Sequence, residues 1–226
     1  MKKVLITWWS RWLWLEISHT LLSQWIEVIS LSRTKPNNKS GHIYIDFLKN
    51  KSVDGAIEKV LEDHSDFDTL ILCAWGWEIE EIWEIKESSV ENTMSLNLNS
   101  NISIANKLWD KIKQNWADIV VIWATIWYKS NTFMPVYSIA KWGLRWFVEN
   151  LREYCKWTPS RVIHVVPWGL NTESNIWPEW RETIISKKTW KQINSLIDVR
   201  EVSELIYSFL SLSKNIEISE VIVNRT

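Results

Sequence analysis

The feature that most constrains this chain is the way it begins. Val4-Leu5-Ile6 is a short apolar run, and Leu13, Leu15, Ile17, Leu21 and Leu22 follow at roughly helical spacing. An apolar run without alternation reads as a strand buried on both faces, the pattern of a parallel sheet. The spaced apolar residues read as a helix with one apolar face. Only Thr7 to Trp12 lie between them, so the chain must turn sharply from strand into helix. A strand, a tight turn and a helix in this order aim backbone N–H groups at one point, where the helix dipole favours an anion.

A turn of that kind calls for glycine, because the backbone must bend tightly and leave room beside itself. Trp8, Trp12 and Trp14 stand there instead. The chain holds 19 Trp and 5 Gly, where ordinary usage would give roughly 16 glycines in this length. Trp25, Trp116 and Trp157 each follow a helix-like segment and precede a strand-like run, at 26–29, 117–122 and 161–166. That is the place just past a helix where a left-handed residue is wanted and glycine is usual. The pattern is explained if most of these tryptophans are glycine in the native protein. UGA codons decoded as glycine in the source organism, but translated on paper as tryptophan, would produce it. The other reading is a truly Trp-rich protein with aromatic clusters in its core or lying on a membrane surface.

Composition narrows the function classes. A net charge of -1 with scattered Lys and Arg gives no nucleic-acid-binding face. Cys73 and Cys155 sit in apolar runs and do not form a secreted disulfide scaffold. His19, His42, His64 and His164 show no metal-ligand spacing, so no metal is expected. Arg11 and Glu16 interrupt what could pass for a signal peptide, and no window is apolar for long enough to span a membrane. A cytoplasmic enzyme of one domain over residues 1–226 is expected.

Further strands are expected at 27–31, 42–46, 68–73, 119–122, 162–166 and 219–223, and helices at 53–61, 89–113 and 199–212. Residues 78–87 are acidic and read as a solvated connection. Strands alternating with helices define an α/β fold, a doubly wound Rossmann domain with a mostly parallel seven-stranded sheet flanked by helices. A second constellation is Tyr137-Ser138-Ile139-Ala140-Lys141. Four residues along a helix return to one face, so a phenol and an ammonium can share a site. A free tyrosine has a pKa of about 10, and neighbouring positive charge favours its phenolate.

With glycine read at 8, 12 and 14 the first turn becomes T-G-x-x-x-G-x-G, and with glycine read at 168 residues 167–172 become P-G-x-x-x-T. Together with Y-x-x-x-K, these motifs make the chain resemble the short-chain dehydrogenase/reductase family over nearly its whole length. The resemblance implies an NAD(P)-dependent enzyme that moves a hydride between the nicotinamide cofactor and a carbonyl or alcohol. It implies a cofactor corner of Thr7, Trp8, Ser10, Arg11, Trp12, Leu13 and Trp14. Asp46 and Phe47 would meet the adenine, Ala74 and Trp75 would follow the fourth strand, and Pro167, Trp168 and Thr172 would line the nicotinamide end. Tyr137 and Lys141 would serve catalysis and touch the cofactor, with Asn97 anchoring a proton-relay water. Residues 173–198 would lid the substrate, and a homodimer or homotetramer is implied.

Two departures shape the expectation. No acid closes the second strand, where it would bind the ribose hydroxyls of NAD(H). Arg33 stands there and Arg11 lies in the first turn. Guanidiniums suit a 2′-phosphate, so NADP(H) is the expected cofactor, ahead of NAD(H). The family's serine, thirteen residues ahead of the tyrosine, is replaced by Ala124, with Thr125 beside it. That replacement keeps a second function open, a nucleotide-binding regulatory protein with weakened catalysis. Nucleotide binding without consumption of NADPH would mark it.

Overall fold

The computed structural model describes residues 2–8, 13–76, 78, 80–123, 132–167, 169–171 and 197–224. Its main sheet is built from β1 (Lys3–Thr7), β2 (Glu27–Ser32), β3 (Gly41–Tyr44), β4 (Thr69–Leu72), β5 (Asp118–Ile122), β6 (Val162–Pro167) and β9 (Glu220–Val223). The strand order is β3-β2-β1-β4-β5-β6-β9. Every neighbouring pair is parallel, so the sheet is wholly rather than mostly parallel. β7 (Leu170–Asn171) and β8 (Ile197–Asp198) form a separate two-stranded ladder that the sequence pattern does not announce.

Burial explains why these runs become strands. Val4, Leu5 and Ile6 are all buried, as is all of β5. Successive side chains serve opposite faces of the sheet. Leu5, Leu70, Leu72, Ile119 and Val121 pack with α2 (Asn50–Asp63), α4 (Ser100–Lys107), α5 (Trp109–Asn115) and α6 (Pro135–Cys155). Val4, Ile6, Ile71, Val120, Ile122, Ile163 and Val165 pack on the other face with α1 (Leu13–Ser23) and α7 (Val199–Ser211). Each fully buried aliphatic side chain contributes about 1.5–3 kcal/mol. This is the two-faced cover that a parallel sheet requires. Among the described residues, no helix is long and apolar enough to cross a membrane.

Three expectations need correction. The stretch 89–113 is not one helix: α3 (Glu87–Met94) passes through a π-helical turn, Ser95–Asn99, into α4, and α5 follows after Leu108. The third strand stops at Tyr44, so Asp46 lies two residues beyond it. Trp157 does not hold a left-handed cap, because α6 ends through Lys156 at φ -48 and only Trp25 and Trp116 combine a side chain with positive φ among the described residues.

A buried ion pair ties down the end of the sheet away from the loops that follow the strands. Arg161 Nη2 lies 2.7 Å from Asp118 Oδ2, and Lys214 Nζ lies 2.6 Å from Asp118 Oδ1. Arg161 also donates to the carbonyls of Phe209 and Leu212, which close α7.

Candidate active site

Because all seven strands run the same way, their C-terminal ends share one edge of the sheet. The chain winds outward from β1 to β3 on one side and continues from β4 on the other, so the winding reverses between β1 and β4. Ligands of open α/β sheets bind at such a reversal, outside the carboxyl ends of the strands. Thr7 stands there, paired with Leu72. Its hydroxyl donates to Ile71 O at 3.4 Å and accepts from Cys73 N at 3.1 Å. Fully buried, it fastens the two strands together at the point of reversal.

At the corner between β1 and α1 the described residues bring two aromatic rings together. Trp8 and Trp14 stack with centroids 3.8 Å apart and planes 12° from parallel, and both are buried. Neither indole N–H meets an acceptor among the described residues. Leu13 opens α1 and is buried beside them. A dinucleotide needs open space at this corner for its pyrophosphate, and two stacked, buried indoles take up part of it. As written, these residues do not fit the cofactor.

The other expected contacts that are described lie along the same edge. Arg33 follows β2 and is exposed. Asp46 is buried, with Oδ1 accepting from Leu48 N at 3.2 Å and Oδ2 lying 3.4 Å from Lys49 Nζ. Phe47 is buried next to it. Ala74 and Trp75 follow β4, buried and half-buried, and Pro167 ends β6. Ser10, Arg11, Trp12, Ala124, Thr125, Trp168 and Thr172 lie outside the described residues, as does most of the expected lid.

Tyr137 and Lys141 sit on the first turns of α6, which starts with Pro135. A proline at that position costs nothing, since the first helical N–H has no partner to lose. Lys141 is 1% exposed and its Nζ lies 5.3 Å from the centroid of the Tyr137 ring, which is itself buried. Burial pulls the Lys141 ammonium down to about 7, partly opposed by the nearby Cys73 thiol. Burial also pushes the Tyr137 phenol upward and the Cys73 thiol up to about 12. The protein alone therefore keeps Tyr137 protonated, in the state that donates a proton. Forming its phenolate requires added positive charge close by.

Asn97 lies in the π-helical turn and is fully buried. Its Nδ2 donates to Gly76 O at 2.6 Å and Thr93 O at 2.9 Å, and its Oδ1 accepts from Gly76 N at 3.4 Å. It thus fastens the loop after β4 to the helix, and its backbone carbonyl accepts from Asn101 Nδ2 at 3.0 Å. Single π turns concentrate at functional sites. Gly143 of α6 lets this turn approach closely, since a β-carbon there would meet Leu98 Cδ2 at 2.8 Å.

One group near the site is invisible in the sequence pattern. His164, fully buried on β6, places Nδ1 3.0 Å from Glu220 Oε1, which also accepts from Arg145 Nη1 at 2.7 Å. The ring stacks on Trp123, just past β5, with centroids 4.4 Å apart. Burial first, then the charges of Arg152, Arg145 and Lys141, hold the imidazole down at about 3, so it is neutral and donates to Glu220. The partners lie 56 and 75 positions apart in sequence, and no local pattern could have joined them. Among the described residues no group of His, Cys, Asp or Glu could hold a metal ion.

A doubly wound sheet with a buried tyrosine–lysine pair at its carboxyl edge defines a class, the nucleotide-dependent oxidoreductases built on a Rossmann fold. The comparisons with known proteins agree. Residues 5–182 match the short chain dehydrogenase family, and the chain belongs to it. Its fold is similar to an alcohol dehydrogenase from the archaeon Thermococcus sibiricus, solved with 5-hydroxy-NADP. That match has a TM-score of 0.80 and 15% identity over 100% of this chain and 97% of that one. It is also similar to a point variant of the actinorhodin polyketide ketoreductase solved with NADPH. There the TM-score is 0.82 and identity 16%, over 99% of this chain and 96% of that one. No curated protein matches the sequence. Membership places the chain among the NAD(P)-dependent oxidoreductases of the short-chain type.

Proposed function

We propose that the protein is an NADP(H)-dependent reductase or dehydrogenase that interconverts a small carbonyl compound and its alcohol. The observation that carries this reading is the buried pair of Tyr137 and Lys141 on one face of α6, beside Cys73 at the end of β4. The nucleotide supplies the hydride in this chemistry, and the chain's own residues manage the proton. Tyr137 holds that proton for the carbonyl oxygen, and Lys141, once charged, stabilises the phenolate left behind. Asn97 positions the loop beside them. Arg33, exposed just past β2, and Arg11 in the first turn would receive the 2′-phosphate. The NADP named with both similar structures is in keeping with that preference. Asp46, Phe47, Ala74, Trp75, Pro167, Trp168 and Thr172 complete the proposed cofactor contacts, and the active form is a homodimer or homotetramer.

The test is a panel of ketones and aldehydes, assayed for NADPH consumption with the glycine-bearing form of the chain. Turnover on members of the panel supports the reading. Ala124, in place of the family's serine, favours a second one, a nucleotide-binding regulator. Tight NADPH binding with no turnover on any member would select it.

A further inference from the structure

Two tryptophans hold backbone conformations that side-chain-bearing residues avoid. Trp25 has φ 59 and Trp116 has φ 52 with ψ 40, both in the left-handed region. Their hydrogen bonds identify the motif. After α1, Trp25 N donates to Leu22 O at 3.2 Å and Ile26 N to Leu21 O at 3.2 Å. After α5, Trp116 N donates to Lys113 O at 3.4 Å and Ala117 N to Ile112 O at 3.0 Å. Each is a Schellman helix end, whose left-handed position is most often glycine. The indole recovers nothing at Trp25, which is 88% exposed, and little at Trp116, which is 47% exposed. Trp83, Trp146 and Trp157 also face water, although tryptophan is usually well buried.

Inside the molecule the misfit takes another form. Trp8 and Trp14 bury two indole N–H groups without an acceptor among the described residues, and their stack occupies the corner at the reversal of the sheet. Caps and corner are unrelated environments, yet both call for the one residue that has no side chain.

We propose that positions 8, 14, 25 and 116 carry glycine in the protein made by its own cells, where the codon written here as tryptophan is decoded as glycine. The caps carry this without reference to function, whereas at residues 8 and 14 it deepens the dinucleotide reading by opening the corner. The same codon would place glycine at most of the 19 tryptophan positions and bring the glycine content to an ordinary level.

Peptide mass spectrometry of the protein purified from its native host tests the assignment directly. Glycine is expected in the peptides that span residues 8, 14, 25 and 116, and tryptophan there would overturn it. A second measurement uses the chain as written, with Trp25→Gly and Trp116→Gly introduced singly. Each should raise the folded-to-unfolded ratio about five-fold by relieving a left-handed side chain. A loss of stability in both would count against the assignment. Glycine in the native peptides, combined with failure of the glycine form to bind NADPH, would uphold the assignment and overturn the cofactor reading instead.

Discussion

Asn97 grips Gly76 on both sides of its backbone, donating to the carbonyl at 2.6 Å and accepting from the amide at 3.4 Å. The grip joins the loop after β4 to the π-helical turn, next to the elements that carry Tyr137 and Lys141. Removing it leaves the peptide groups of Gly76 without these partners. Asn97→Ala should therefore cost about 1–3 kcal/mol of stability. Turnover should fall further than that loss of folded protein explains. Urea unfolding and kcat measured on the same preparation check both parts. Unchanged kcat with reduced stability would confine Asn97 to a structural role.

Cofactor choice is the next expectation. With a guanidinium at the end of β2 and no acid there, NADPH should bind more tightly than NADH. Arg33→Ala should weaken NADPH binding by about ten-fold, a charge-assisted contact of about 1.4 kcal/mol, while NADH binding stays nearly constant. Titration of the two cofactors against both forms measures this directly. Equal affinities for NADPH and NADH in the glycine-bearing form with Arg33 intact would remove Arg33 from cofactor selection.

His164 gives a pH dependence with a defined sign. Its folded-state value is depressed to about 3 from 6.5, so between those values the unfolded chain binds the proton and the folded one does not. Stability from this group is complete above pH 6.5 and is lost as pH falls toward 3. Averaged between pH 5 and 7, the slope is about 1 kcal/mol per pH unit. Urea unfolding between pH 5 and 7, where carboxylates change little, should show this slope in the parent. It should be nearly absent in His164→Leu, which keeps the pair of Arg145 and Glu220. Equal slopes in both proteins would mean that His164 is not held neutral.

What the sequence disclosed follows from which signals are local. Val4-Leu5-Ile6 and Ile119-Val120-Val121-Ile122 are legible as strands because a parallel sheet buries both faces and leaves an unbroken apolar run. Tyr137 and Lys141 are legible because one helical turn brings them to the same face. The π-helical turn is hidden, since apolar spacing on either side of Ser95–Asn99 continues as in an ordinary helix. β7 and β8 are two residues each, too short to carry any period. Asn97 could be read as a polar residue on a helix flank, and only the fold brings Gly76 back to meet it. The helix ends at Trp25 and Trp116 were legible from their position between helix and strand. Trp157 was misplaced because α6 closes one residue earlier, with Thr158 donating to Cys155 O.

The most direct test of the proposed chemistry is turnover by Tyr137→Phe in the glycine-bearing form. The substitution removes one hydroxyl from a buried ring and leaves the cofactor corner untouched. NADPH affinity should stay within about two-fold, while kcat on any carbonyl that the parent reduces should fall by about 10²-fold or more. Turnover equal to that of the parent would show that the proton comes from elsewhere and would contradict the assignment of Tyr137 as its donor.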